Sequence, residues 1–162
     1  MTDTSWVGAA MTQTVPWVSE VGITFGETTA GRAVAHLPDA AGRHNHVGGP
    51  HAAMIFGLGE TASGAVGLAA FAAVMERATP LVVRSEIGYS RLAKGPLTAV
   101  AVLDRPAAEV LAELDAGTRP EFTVSVTITD AQDRETTRMT VVWTLRPNRS
   151  GRPLRAGSRR ST

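Results

Sequence analysis

Cysteine is absent from this chain. Disulfides, thiolate-bound metals and a cysteine nucleophile are therefore excluded, while the cellular compartment is left open. A dominant charge is lacking too. Sixteen Lys and Arg face fifteen Asp and Glu, for a net charge of +1, which makes no electrostatic case for nucleic acid or a membrane surface. Five of the sixteen basic residues fall between Arg149 and Arg160. Residues 148–162 read as a disordered, solvated basic tail. The N-terminal stretch MTDTSWVGAAMTQTVPWVSE has an acid at Asp3 and no basic residue ahead of its apolar part, so it does not read as a secretory signal. A membrane-spanning run is missing as well. Residues 61–75 are uncharged, but 15 residues are too few to cross a bilayer, and the segment is made of Ala and Gly rather than Leu and Ile. A cytoplasmic protein is expected.

At 162 residues and 43% hydrophobic composition, one domain with a real core can form. Residues 1–19 read as an N-terminal helical segment broken near Pro16. Residues 21–38 alternate apolar and polar around a turn at Thr29-Ala30-Gly31, as a strand pair would. A loop follows to Gly49. Pro50 suits the first position of a helix, and an Ala-rich apolar helix is expected from there to about Arg77. Gly57, Gly59, Gly64 and Gly67 lie inside it, and each costs about 1 kcal/mol of helix propensity relative to Ala. Close approach of a sheet or second helix is the usual compensation. Apolar nearly all round, this helix should be buried nearly all round. Strands are then expected over 80–92, 95–104 and 122–146, the last split at Asp130-Ala131-Gln132-Asp133, with a short helix over 106–117. Consecutive strands imply an antiparallel sheet and an α+β fold. The wrapping of a curved sheet around one long buried helix is the hotdog architecture.

From His51 to Met75 stands one carboxylate, Glu60, with no Lys or Arg there to pair with it. A carboxylate in apolar surroundings is expensive unless something compensates. Three histidines precede it, at 44, 46 and 51. Their spacing is not that of helical metal ligands and no H-E-x-x-H occurs, so no metal site is expected.

The spacing from Asn45 to Glu60 reads N-x-x-G-x-x-H-A-A-x6-E, with Gly48, His51, Ala52 and Ala53 in register. This resembles the hotdog acyl-CoA thioesterases of the phenylacetyl-CoA and 4-hydroxybenzoyl-CoA type, whose motif is N/Q-x-x-G-x-x-H-G-G-x6-D/E. The resemblance covers residues 20–147 as the hotdog domain, including the segment IGYSRLAKGPLTAVA. It implies that Glu60 attacks the thioester carbonyl or activates water. The Ala52 N–H, in the first helical turn, would form the oxyanion hole, and Asn45 would contact the carbonyl or the water. Gly48 and His51 would stand at the substrate, Met54 and Phe56 could line an acyl pocket, and Arg91 and Lys94, in an expected hairpin SRLAKGP (90–96), would meet the phosphates of coenzyme A. No cofactor is implied beyond coenzyme A as part of the substrate. Some relatives place a Thr one turn after the acid, where this chain has Gly64, and others a Ser on the next strand, near Val82 here. Ser63 and Thr79 are the neighbouring hydroxyls that would substitute.

Ala52 and Glu60 are eight residues apart, about 12 Å along a helix, so one carbonyl cannot touch both. Two antiparallel copies of the helix across a two-fold axis would bring Ala52 of one chain to Glu60 of the other. A homodimer or a dimer of dimers is expected, and the resemblance implies the same. The alternative reading is a non-catalytic acyl-thioester or lipid-binding hotdog module. A hotdog dehydratase using His51 is a third reading, which the spacing suits less well.

Overall fold

The computed structural model describes residues 4–148. Two short helices open the chain, α1 (Trp6–Thr14) and α2 (Pro16–Glu20), broken at Val15 just before the proline. Strands β1 (Thr24–Thr28) and β2 (Arg32–Leu37) follow. A 3-10 turn precedes α3 (Ala52–Phe71), and another at Ala72–Val74 ends it. Then come β3 (Ala78–Tyr89), β4 (Leu97–Leu103), α4 (Ala107–Asp115), β5 (Glu121–Thr129) and β6 (Glu135–Pro147).

All pairings are antiparallel, in the order β1-β2-β4-β5-β6-β3. Alternation sets the inner face. Ala33, Ala35 and Leu37 on β2 lie in register with Ala101, Ala99 and Leu97 on β4, and all six are buried. On β5, Phe122, Val124, Val126 and Ile128 point the same way. Helix α3 lies against this face through Ile55, Leu58, Ala62, Ala65, Val66 and Ala69. Gly59 marks a close approach, whereas a Cβ at Gly67 would make only ordinary contact. A Cβ on Gly59 would fall 2.7 Å from the Met139 sulfur, and one on Gly67 would fall 3.7 Å from the Phe122 ring. The Phe71 and Phe122 rings pack at 4.6 Å. This is the α+β hotdog arrangement, a curved antiparallel sheet wrapped around one long helix. Helices α1 and α2 join the same core through Val7 and Val18, both fully buried.

Four sequence expectations need correction. Helix α3 does not begin at Pro50: His51 is its N-cap and Pro50 lies outside, bridged to His44. Nor does it run to Arg77, because the chain tightens to 3-10 geometry at Ala72. It is not buried all round, since Ala52, Ala53 and Phe56 are exposed and Glu60 is half-buried. Finally, residues 90–96 are not a hairpin. They are a crossover, because β3 pairs with β6 at the sheet edge while β4 inserts between β2 and β5.

The helical stretch Ala52–Val74 is long and apolar enough to cross a bilayer, but 56% of its most apolar window is packed inside the protein, so no membrane span is indicated. The expected basic tail lies outside the described residues except for Asn148. That residue is held, its N–H donating to the Arg77 carbonyl (2.8 Å) and its Nδ2 to the Glu76 carbonyl (2.9 Å).

Candidate active site

The loop before α3 is built around Asn45. Its Oδ1 accepts from the N–H groups of Val47 (3.0 Å) and Gly49 (3.3 Å), and its Nδ2 donates weakly to the Pro50 carbonyl (3.4 Å). Most of the Asn45 amide therefore shapes the loop, leaving one Nδ2 hydrogen for other partners. Gly48 takes φ +77, a left-handed backbone that favours glycine. Gly49 permits the next contact, since a Cβ there would fall 2.6 Å from the Ala93 carbonyl oxygen. The crossover can thus lie directly on the motif loop.

His51 caps the helix. Its Nδ1 accepts from the Ala53 N–H (3.0 Å), while its carbonyl accepts from Met54 (2.8 Å) and Ile55 (3.2 Å). The first turn of any helix leaves donors unsatisfied, and three of the four here are taken. The Ala52 N–H alone finds no acceptor among the described residues. It opens at the positive end of the helix dipole.

That amide borders a cleft of about 510 Å³ whose lining includes Asn45, Gly48, Ala52, Tyr89, Arg91 and Lys94. Five of the six are residues that the sequence placed at the site. The crossover carrying the two cations is pinned from behind. The Ser90 N–H donates to the Thr136 carbonyl (2.8 Å), and the Lys94 carbonyl accepts from Ala131 (3.1 Å). Arg91 and Lys94 are both exposed, as cations at a cleft mouth should be. Sequence reasoning missed Tyr89, the chain's single tyrosine, whose hydroxyl donates to the Ala52 carbonyl (3.4 Å).

Glu60 does not line this cleft. It sits two turns along α3 on the outward face, and no cation or hydrogen-bond donor meets its carboxylate among the described residues. Burial raises its pKa above the usual glutamate value, since desolvation disfavours the charged form. A carboxyl held in this way is poised to accept a proton nearer neutrality.

The remaining expected residues fall elsewhere. Ser63 is fully buried; it donates to the Glu60 carbonyl (2.7 Å) and accepts from Trp143 Nε1 (3.0 Å). Thr79 donates to Asn148 Oδ1 (2.6 Å), ten residues or about 33 Å of strand from Tyr89. Met54 packs against the core, and Phe56 is exposed on the outer face of α3. Among the described residues no three His, Asp or Glu converge as metal ligands do; His44 instead bonds Asp39 (2.6 Å).

A long helix sheathed by one curved antiparallel sheet defines the hotdog fold. Within it the chain belongs to the DUF4442 family, a domain of unknown function, which matches residues 4–145. No curated protein matches the sequence. Several solved structures share the fold. A Pseudomonas aeruginosa protein of unknown function, described as a probable thioesterase, superposes with TM-score 0.79 at 24% identity, over 91% of this chain and 97% of that one. A thioesterase family protein from Silicibacter pomeroyi gives TM-score 0.72 at 15% identity, over 90% and 100%. The Escherichia coli PaaI protein of the phenylacetic acid degradation operon gives 0.69 at 16%, over 88% and 93%. At these identities the likeness is one of fold.

Proposed function

We propose that this protein is a cytoplasmic acyl-CoA thioesterase, working as a homodimer or dimer of dimers on a small or medium acyl or aromatic-acyl thioester. The observation that carries this reading is the division of machinery along α3. The open Ala52 amide and two cations share one cleft, while the unpartnered carboxylate stands about 12 Å away on the same helix. A second copy, its α3 antiparallel to the first, supplies the missing acid.

Arg91 and Lys94 hold the coenzyme A phosphates at the mouth. The thioester oxygen faces the Ala52 N–H, which stabilises the charge that develops there. Glu60 of the other subunit takes a proton from water as its oxygen bonds the carbonyl carbon. The C–S bond then breaks, and the proton passes to the departing thiolate, giving a carboxylic acid and free coenzyme A. Direct attack by Glu60, with water hydrolysing the resulting anhydride, gives the same products.

The sheet supports pairing. Strand β3 is a free edge of 12 residues with Val82 and Val83 exposed, and the buried Ser85 hydroxyl has no partner among the described residues. A long apolar edge is a template for another strand.

The test is hydrolysis of short-chain, long-chain and aromatic acyl-CoAs, followed with a thiol-trapping reagent, in wild type and Glu60→Gln. Loss of the general base should lower kcat about 10²- to 10⁴-fold; full activity in the variant would remove the proposal. One observation favours the binding module instead: the Ser63 hydroxyl is fully buried and its one proton is taken by the Glu60 carbonyl, so it does not donate to a water. Tight acyl-CoA binding with no turnover at any chain length would decide for that reading.

A further inference from the structure

Glu60 lies between two glycine notches on one face of α3. Gly57 and Gly64 are seven residues apart, nearly two full turns, so they face the same way about 10 Å apart. Trp17 fills the notch at Gly57, where a side chain would collide with it, while Trp143 makes only ordinary contact at Gly64. A Cβ on Gly57 would fall 2.2 Å from the Trp17 ring, and one on Gly64 would fall 3.6 Å from the rings of Trp143 and the methyl of Met11. Helical side chains lean back over the preceding turn, so the Glu60 carboxyl leans towards Gly57 and the indole seated there. The Trp17 ring therefore stands on the side towards which the Glu60 side chain leans.

Trp17 is also firmly placed. Helix α2 is anchored inward by Val18, fully buried. At its end the Arg43 guanidinium donates to the carbonyls of Val21 (2.5 Å) and Glu20 (3.3 Å). Arg43 belongs to the loop that leads to Asn45, so the indole is tied to the motif itself. Yet Trp17 remains 36% exposed, with one part on α3 and its rim open. The second indole is fixed more tightly, through its bond to Ser63.

We infer that Trp17, seated on Gly57, is the end wall of the acyl pocket and restricts the substrate to compact acyl groups, a short chain or a single ring. This rests on the thioesterase reading and assigns its substrate class. An acyl chain running past Glu60 towards Gly57 would meet the Trp17 ring edge. Removing the ring opens that side. Gly57→Ala does so from beneath, because the new methyl cannot coexist with the indole in its seat.

The experiment compares wild type, Trp17→Ala and Gly57→Ala with acyl-CoAs of rising chain length. Hydrolysis is measured, and so is binding of the matching non-hydrolysable thioether analogues, a readout that needs no turnover. Each methylene newly buried adds about fourfold, so the preference for eight-carbon over four-carbon chains should rise at least tenfold in both variants. An unchanged preference in two folded variants, with wild type still active or binding, overturns the inference and leaves the thioesterase reading standing. No hydrolysis and no thioether binding by wild type overturns both. If Trp17→Ala fails to fold, Gly57→Ala and Trp17→Leu carry the same comparison.

Discussion

Glu60 owes its chemistry to the residues around it. The glycine one turn before it seats the Trp17 indole, the one after it lies in ordinary contact with Trp143, and burial raises its pKa above the ordinary 4.5. The acid limb of kcat/KM should therefore lie above the ordinary glutamate range. A consequence for stability follows with a definite sign. Between the unfolded and folded values the native state binds more protons, so stability falls as pH rises through that window and stays lower above it. Glu60→Gln removes this penalty. Its melting temperature should exceed that of wild type at about pH 8 and match it at about pH 4; a gap persisting in acid would place its origin elsewhere. A site residue whose removal stabilises the fold is the usual signature of function held at the expense of stability.

Among the elements, the β5–β6 turn does more than reverse the chain. Asp130 accepts from the N–H groups of Gln132 (3.0 Å) and Arg134 (3.3 Å) and from the Arg134 guanidinium (2.6 Å). The guanidinium chiefly holds its pKa down, at about 2. The same turn donates from Ala131 to Lys94, so it backs the crossover that carries the cleft cations. Asp130→Ala should cost about 1–3 kcal/mol, read by urea titration, and should raise KM for acyl-CoA more than it lowers kcat. The Asp130 contribution is fully present above the ordinary 3.8 and is lost as pH falls from there towards about 2.

These elements also show what a sequence can disclose. Strand β5 is legible because Phe122, Val124, Val126 and Ile128 alternate with polar residues, and β4 and β6 because their β-branched residues are bounded by turn signals. The start of α3 reads too early from the sequence because Pro50 mimics a first-turn proline, whereas the imidazole of His51 does the capping. The crossover was illegible. Lys94-Gly95-Pro96 has the composition of a tight turn, and only competition for partners across the whole sheet sends β3 to the far edge. The motif spacing brought Asn45, Gly48 and Ala52 to the cleft. The seat of Trp17 on Gly57 escaped notice because it joins residues forty apart with no local pattern.

At the scale of the whole molecule the open amide can be removed without disturbing the helix. Ala52 is the first helical residue of α3, where proline is favoured. His51 before it already has φ -64 and ψ 143, the extended geometry that a following proline demands. Ala52→Pro should therefore fold normally, with an unchanged circular dichroism spectrum, while losing the oxyanion donor and about 10²- to 10³-fold in kcat.

The eight-residue gap between Ala52 and Glu60 then has a genetic meaning. In a two-fold pair, each chain lends its acid to its neighbour and its amide to itself. Glu60→Gln and Ala52→Pro damage opposite halves of every site, so neither parent should support turnover. Mixed and allowed to exchange subunits, they should complement. About half of randomly formed pairs contain one chain of each kind, and each such pair holds one whole site and one doubly broken one. About a quarter of wild-type activity should return from two inactive proteins, and no return at all would mean that each chain completes its site alone.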